Sequence, residues 1–140
     1  MTYTSAPEPD PATVEAVGKL TEALETVEVA RGHLYAFHRL TGTADFTLDE
    51  AIDLLRHAGH HDLAERLETE LLGRNVLPGR WTYQVVEDYE DTYYDVFRAF
   101  ERQARELTGG RRHLHEAELK RNRRTDGLRG HEAFPGEPVA

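Results

Sequence analysis

Residues 81–107 read Trp-Thr-Tyr-Gln-Val-Val-Glu-Asp-Tyr-Glu-Asp-Thr-Tyr-Tyr-Asp-Val-Phe-Arg-Ala-Phe-Glu-Arg-Gln-Ala-Arg-Glu-Leu. Apolar and aromatic side chains recur at Val86, Tyr89, Tyr93, Phe97, Phe100, Ala104 and Leu107. Steps of three and four place them on one face of an α-helix and rule out the two-residue period of a strand. The same turns carry Glu87, Asp91 and Asp95 at intervals of four, so three carboxylates line up along the surface. Like charges at that spacing repel. A basic segment, a cation, a partner or water must offset the repulsion.

Outward from this helix the punctuation is clear. Thr82 is the expected N-cap, and Gly109-Gly110 ends the helical pattern. The segment 74–80 reads as a loop with Pro78-Gly79 as its turn. Asp10 offers a cap for a first long helix, with Pro11 at the position where a missing N–H costs nothing. Its apolar residues, Val14, Val17, Leu20, Leu24, Val27, Ala30, Leu34 and Phe37, predict a helix to about Thr41, with Gly42 just past its end. Gly18 and Gly32 weaken that helix, and Gly32 reads as a bend or a close approach. Thr47-Leu-Asp-Glu50 has the form of a capping box opening a short helix that stops at Gly59. Asp62 starts a third helix ending near Gly73, so the two short helices form an αα-hairpin. A polar helix is expected from His113 to Arg123.

The expected fold is all-α. It is a helical bundle of two long antiparallel helices, a short αα-hairpin and a C-terminal polar helix. Residues 1–9 are expected to be a disordered N-terminal segment, 10–125 a single bundle domain, and 126–140 a flexible tail. At 140 residues, 39% hydrophobic and 31% charged, the chain suits one soluble core. It has no cysteine, so disulfides, thiolate metal sites and cysteine nucleophiles are excluded. With no basic n-region, no apolar leader and no stretch of about 20 apolar residues, the expected location is the cytoplasm.

The net charge of −9 is unevenly spread. Residues 1–100 carry 8 Lys/Arg against 19 Asp/Glu, while residues 101–140 carry 9 against 7. The main body would repel nucleic acid. The basic run from Arg111 to Arg124 is diluted by Glu116, Glu118, Leu114 and Leu119 and holds no aromatic to stack on bases. Nucleic acid is therefore an unfavoured partner, and a protein partner or a second copy of the chain, as a homodimer, is favoured.

Two constellations are candidates for function. Trp81 beside Arg74, Asn75 and Arg80 has the composition of an interface hot spot, and Arg111 with Arg112 extends the candidate interaction set. His38, near the margin of the first helix, is a candidate divalent-metal ligand together with Glu87, Asp91 and Asp95. His57, His60 and His61 cluster at a turn, but no His-Glu-x-x-His or Glu-x-x-His pair accompanies them. No Gly-x-Ser-x-Gly and no phosphate-binding glycine loop is present, so the chain offers no catalytic residue and no reaction.

Three segments carry a resemblance: Tyr35-Ala-Phe-His-Arg-Leu-Thr-Gly42, Gly73-Arg-Asn-Val-Leu-Pro-Gly-Arg-Trp81 and Gly109-Gly-Arg-Arg-His-Leu-His-Glu-Ala-Glu-Leu-Lys120. Over residues 30 to 131 the chain resembles a small all-helical family of high-GC bacteria and halophilic archaea with no established activity. The resemblance implies one compact helical domain and no site residues. The expected function is that of a non-enzymatic helical bundle acting through protein–protein interaction or self-association. The alternative is a bundle that binds a metal or small ligand through His and carboxylate side chains.

Overall fold

The structure, a computed structural model, describes residues 9–138, and the expectation for residues 1–8 lies outside them. The fold is all-α. Helices α1 (Pro11–His57), α2 (His61–Glu70), α3 (Thr82–Tyr89), α4 (Asp95–Arg105) and α5 (Leu114–Arg123) follow in order. A π-helical turn (Glu90–Tyr94) joins α3 to α4, and a 3₁₀ turn (Glu106–Thr108) follows α4. The contacts divide the chain into two compact units where a single domain was expected: Met1–Val27 with Val96–Ala140 (unit 1), and Glu28–Asp95 (unit 2).

The expected start of the first helix is present. The Asp10 carboxylate accepts the Thr13 N–H at 2.9 Å and the Thr13 hydroxyl at 2.7 Å. Its expected end is not. α1 passes through Gly42 and continues to His57, 47 residues in all. Gly42 is helical, and Thr47 caps nothing: its hydroxyl donates to the Thr43 carbonyl at 3.0 Å, as Thr43 does to Arg39. Such back-bonding satisfies a threonine inside a helix as well as a cap would. The hairpin is therefore made by the end of α1 and α2, turning at Gly59, whose φ is 92°. Gly32 makes no close approach, since a Cβ there meets nothing within 4 Å. Gly18 does, because a Cβ on it would lie 2.5 Å from the His115 Cβ, where α5 crosses α1 in unit 1.

In unit 2, Pro78-Gly79 makes the expected turn. Leu77 and Arg80 exchange both backbone bonds at 3.3 and 3.0 Å, and Gly79 has φ 73°, a type II arrangement. Thr82 is the first residue of α3 rather than its cap. Trp81 occupies that place, and its N–H donates to Gln84 Oε1 at 2.8 Å. Ile52, Ala64, Val86 and Tyr94 form the buried apolar core of this unit. In unit 1, Val14 and Val17 are buried together with Glu101 and Thr108.

The apolar face read from residues 81–107 is only partly the buried one. Val86 is buried, but Tyr93, Phe100 and Leu107 are 54%, 61% and 67% exposed. Inward positions run Thr82, Val86, Tyr94, Glu101, Thr108. A π-helical turn inserts one residue into the helical register, so every position after it turns by about 100°. Beyond residue 94 the polar Glu101 and Thr108 are buried, while Phe97 is half-buried and Phe100 and Leu107 are exposed.

The continuity of α1 is open to a direct check. Gly42→Ala adds a methyl in open space on a helical backbone, so thermal denaturation should show stabilisation of about 0.5–1 kcal/mol. Destabilisation would instead place Gly42 at a helix end.

Candidate interaction surfaces

Part of the face that α1 turns toward α3 and the π-helical turn is polar, beside the half-buried Leu34 and Leu48 and the buried Ile52. Arg31 donates through Nε and Nη2 to Glu90 Oε1 at 3.1 and 3.0 Å. The Tyr35 hydroxyl donates to the same oxygen at 2.6 Å. The Arg31 guanidinium carbon also lies 4.6 Å from the centre of the Tyr94 ring and 5.2 Å from that of Tyr35. The Tyr94 hydroxyl donates to Glu28 at 2.5 Å. One turn further along α1, half-buried His38 places Nδ1 2.7 Å from the hydroxyl of Thr82, which is fully buried. Thus Glu28, Arg31, Tyr35 and His38, on one face of α1, each hold a side chain of α3 or the π-helical turn.

The candidate metal ligands are placed apart by this arrangement. His38 is engaged with Thr82, while Glu87, Asp91 and Asp95 are exposed. These four do not come together as a group with ligand atoms within 4.8 Å. Among the described residues the group that does is Glu25, His113 and Glu116, all exposed, in unit 1. These three border a cavity of about 160 Å³ that Val14, Val17 and Leu119 also line. His57, His60 and His61 are exposed at the α1–α2 turn.

Of the candidate interaction residues, Arg74, Asn75 and Trp81 come together. With Thr41, Ala44, Asp45, Leu48, Leu71 and Val76 they line an open groove of about 550 Å³ in unit 2. Arg80 turns aside to pair with Asp88 at 2.6 Å. In unit 1, Arg111 donates to the Thr108 carbonyl at 3.2 Å, and Arg112 is exposed. The segment after α5, expected to be a tail, is tied to Arg124, which bonds Glu137 at 2.5 and 3.0 Å and the His131 carbonyl at 2.9 Å.

Sequence reasoning missed a larger surface. On α1 of unit 2, the side away from the polar seam carries Val29, Leu40 and Leu54, which are 62%, 68% and 69% exposed. Phe37 and Phe46, on its flanks, are also exposed. Between them lie Ala30, Gly32, Ala36, Ala44 and Ala51, all exposed as well. α1 therefore exposes apolar and small residues, interspersed with polar ones, on a side that no described residue buries. The signal was present in the sequence as a second stripe, but the expected helix end at Gly42 divided it.

No protein-family model, no curated protein and no solved structure matches this chain. Among the described residues no helix is long and apolar enough to cross a membrane.

Glu90 gives a pH-dependent prediction. The Tyr35 hydroxyl, and then Arg31, hold its carboxyl below the ordinary value of 4.5. A carboxyl depressed in the folded state adds stability at neutral pH, and this is lost as pH falls through its folded value. Denaturant unfolding from pH 7 to pH 3 should show Glu90→Gln less stable at pH 7 and less sensitive to acid than the parent. Parallel pH profiles would mean the cluster contributes nothing.

Proposed function

We propose that this chain is a non-enzymatic protein of the cytoplasm that works by binding a protein, with the outward face of α1 in unit 2 as its principal binding surface. One observation carries the reading: Val29, Leu40 and Leu54 lie on a single helix face and are all more than three-fifths exposed. Apolar side chains gathered on one exposed helix face supply the surface that such an interaction uses. The groove at Trp81 and the exposed Val96, Phe100 and Leu107 of unit 1 supply further apolar surface. The acidic balance of residues 1–100 disfavours nucleic acid as the partner. The metal-binding alternative has less behind it, because Glu25, His113 and Glu116 are all exposed. Exposed acidic groups of that kind are common without a bound ion.

The test is site-specific photo-cross-linking in the producing cell. A photoreactive residue replacing Leu40 should give a discrete covalent protein adduct that is lost when Leu54→Glu is added. The same residue replacing the exposed Glu65 on α2 should give none. Absence of any adduct from position 40 overturns the reading.

A further inference from the structure

The outward face of α1 follows a heptad. Positions 29, 33, 36, 40, 43, 47, 50 and 54 are spaced by alternating fours and threes and are occupied by Val29, His33, Ala36, Leu40, Thr43, Thr47, Glu50 and Leu54. All eight are exposed. A repeat of 3.5 residues per turn is the seam of a two-stranded coiled coil. One flank of the seam is Ala30, Phe37, Ala44 and Ala51, and the other is Gly32, Arg39, Phe46 and Asp53. Small residues on one flank let a second helix approach closely. The two threonines in the seam have already given their hydroxyl protons to Arg39 and Thr43 carbonyls. Burying them leaves no donor without an acceptor, and their methyl groups add apolar contact.

The charged groups of the seam then select both the occupant and its direction. We propose that the outward face of α1 binds the same face of a second copy of this chain, antiparallel, as a two-fold dimer. The inference rests on the reading of that face as the binding surface. In the antiparallel register Val29 meets Leu54 of the second copy, Ala36 meets its Thr47, and Leu40 meets its Thr43. His33 then faces Glu50 of the second copy, and the two-fold axis repeats that pair. Phe37 lies over the small Ala44 of the second copy, and Arg39 lies beside its Phe46, a cation–π arrangement. A parallel pair would set Glu50 against Glu50, and like charges opposed in a seam reject that alignment. Isologous contact of one surface with itself closes at two copies and leaves no further face of α1 to propagate. An anionic membrane is a poor occupant, because Glu50 sits in the seam and lysine is absent from its flanks.

Sedimentation velocity on the purified full chain, over a range of concentrations, tests this. The parent should sediment as a dimer of 16.0 kDa chains. His33→Glu sets carboxylates against Glu50 of the other copy, and Glu50→Lys removes the carboxylate acceptor that faces His33 and buries an ammonium in its place. Each should weaken the dimer by about tenfold or more, the order of 1.4 kcal/mol. The double variant His33→Glu/Glu50→Lys should restore it, which only the antiparallel register allows. Circular dichroism on every variant should report unchanged helicity, since both residues are exposed. A monomer at all concentrations overturns the second copy as occupant, and a cross-linked adduct to a different protein would then leave the binding reading standing. A dimer indifferent to the single substitutions, or not rescued by the double, overturns the face or the register.

Discussion

The Arg31 guanidinium organises unit 2. It donates twice to Glu90 and lies against the Tyr35 and Tyr94 rings, so one side chain of α1 engages a carboxylate and two aromatic faces. A charge held this way needs partners on the opposing element, and the π-helical turn supplies them by carrying Glu90 and Tyr94 itself. These polar positions share the inner side of α1 with Leu34, Leu48 and Leu55, which are half-buried, and with the buried Ile52. Other apolar residues of α1, among them Val29, Leu40 and Leu54, lie on its exposed side. The unit is thus held both by hydrogen-bonding groups and by the apolar core of Ile52, Ala64, Val86 and Tyr94, while further apolar groups are exposed on α1.

Unit 1 likewise buries a charged group beside apolar ones, Val14 and Val17. Glu101 is buried, accepts the Thr21 hydroxyl at 3.1 Å and pairs with Arg105 at 2.9 Å, while Phe100 beside it is exposed. The buried carboxylate is satisfied by two partners, the condition under which burial of a charge is tolerated. Gly18 admits α5 to the same stretch of α1, because no larger residue would leave room for His115.

Much of the fold was legible in the sequence. Period and capping residues identified the all-α class, the Asp10 start, the Pro78-Gly79 turn and the Gly109 stop, each of which depends on local chemistry. Gly42 and Thr47 misled, because a glycine and a capping-box pattern are also compatible with an uninterrupted helix when packing and back-bonding hold it. The register change at residues 90–94 could not be read from hydropathy. The π-helical turn carries Glu90 and Tyr94 to Arg31, Tyr35 and Glu28 of α1, contacts between residues distant in sequence that hydropathy does not report. The same limit hid the surface of α1: only knowledge of which side was already occupied reveals Leu40 and Leu54 as exposed. Of the candidate site residues, Arg74, Asn75 and Trp81 were brought together because they flank one short loop. His38 and the carboxylates were not, because Thr82 claims the imidazole.

The central claim is that α1 has two working faces, one closing unit 2 and one meeting a second chain in the opposite direction. The most direct measurement is the distance between two nitroxides in the dimer of a chain labelled once, at a cysteine introduced by Asp53→Cys on the flank of the seam. The antiparallel register places the two labels about 35 Å apart along the helix axis, at 1.5 Å per residue. A distribution centred near that distance is the predicted result. A separation of under about 20 Å, the consequence of parallel helices some 10 Å across, or the absence of any dipolar coupling, would contradict the account.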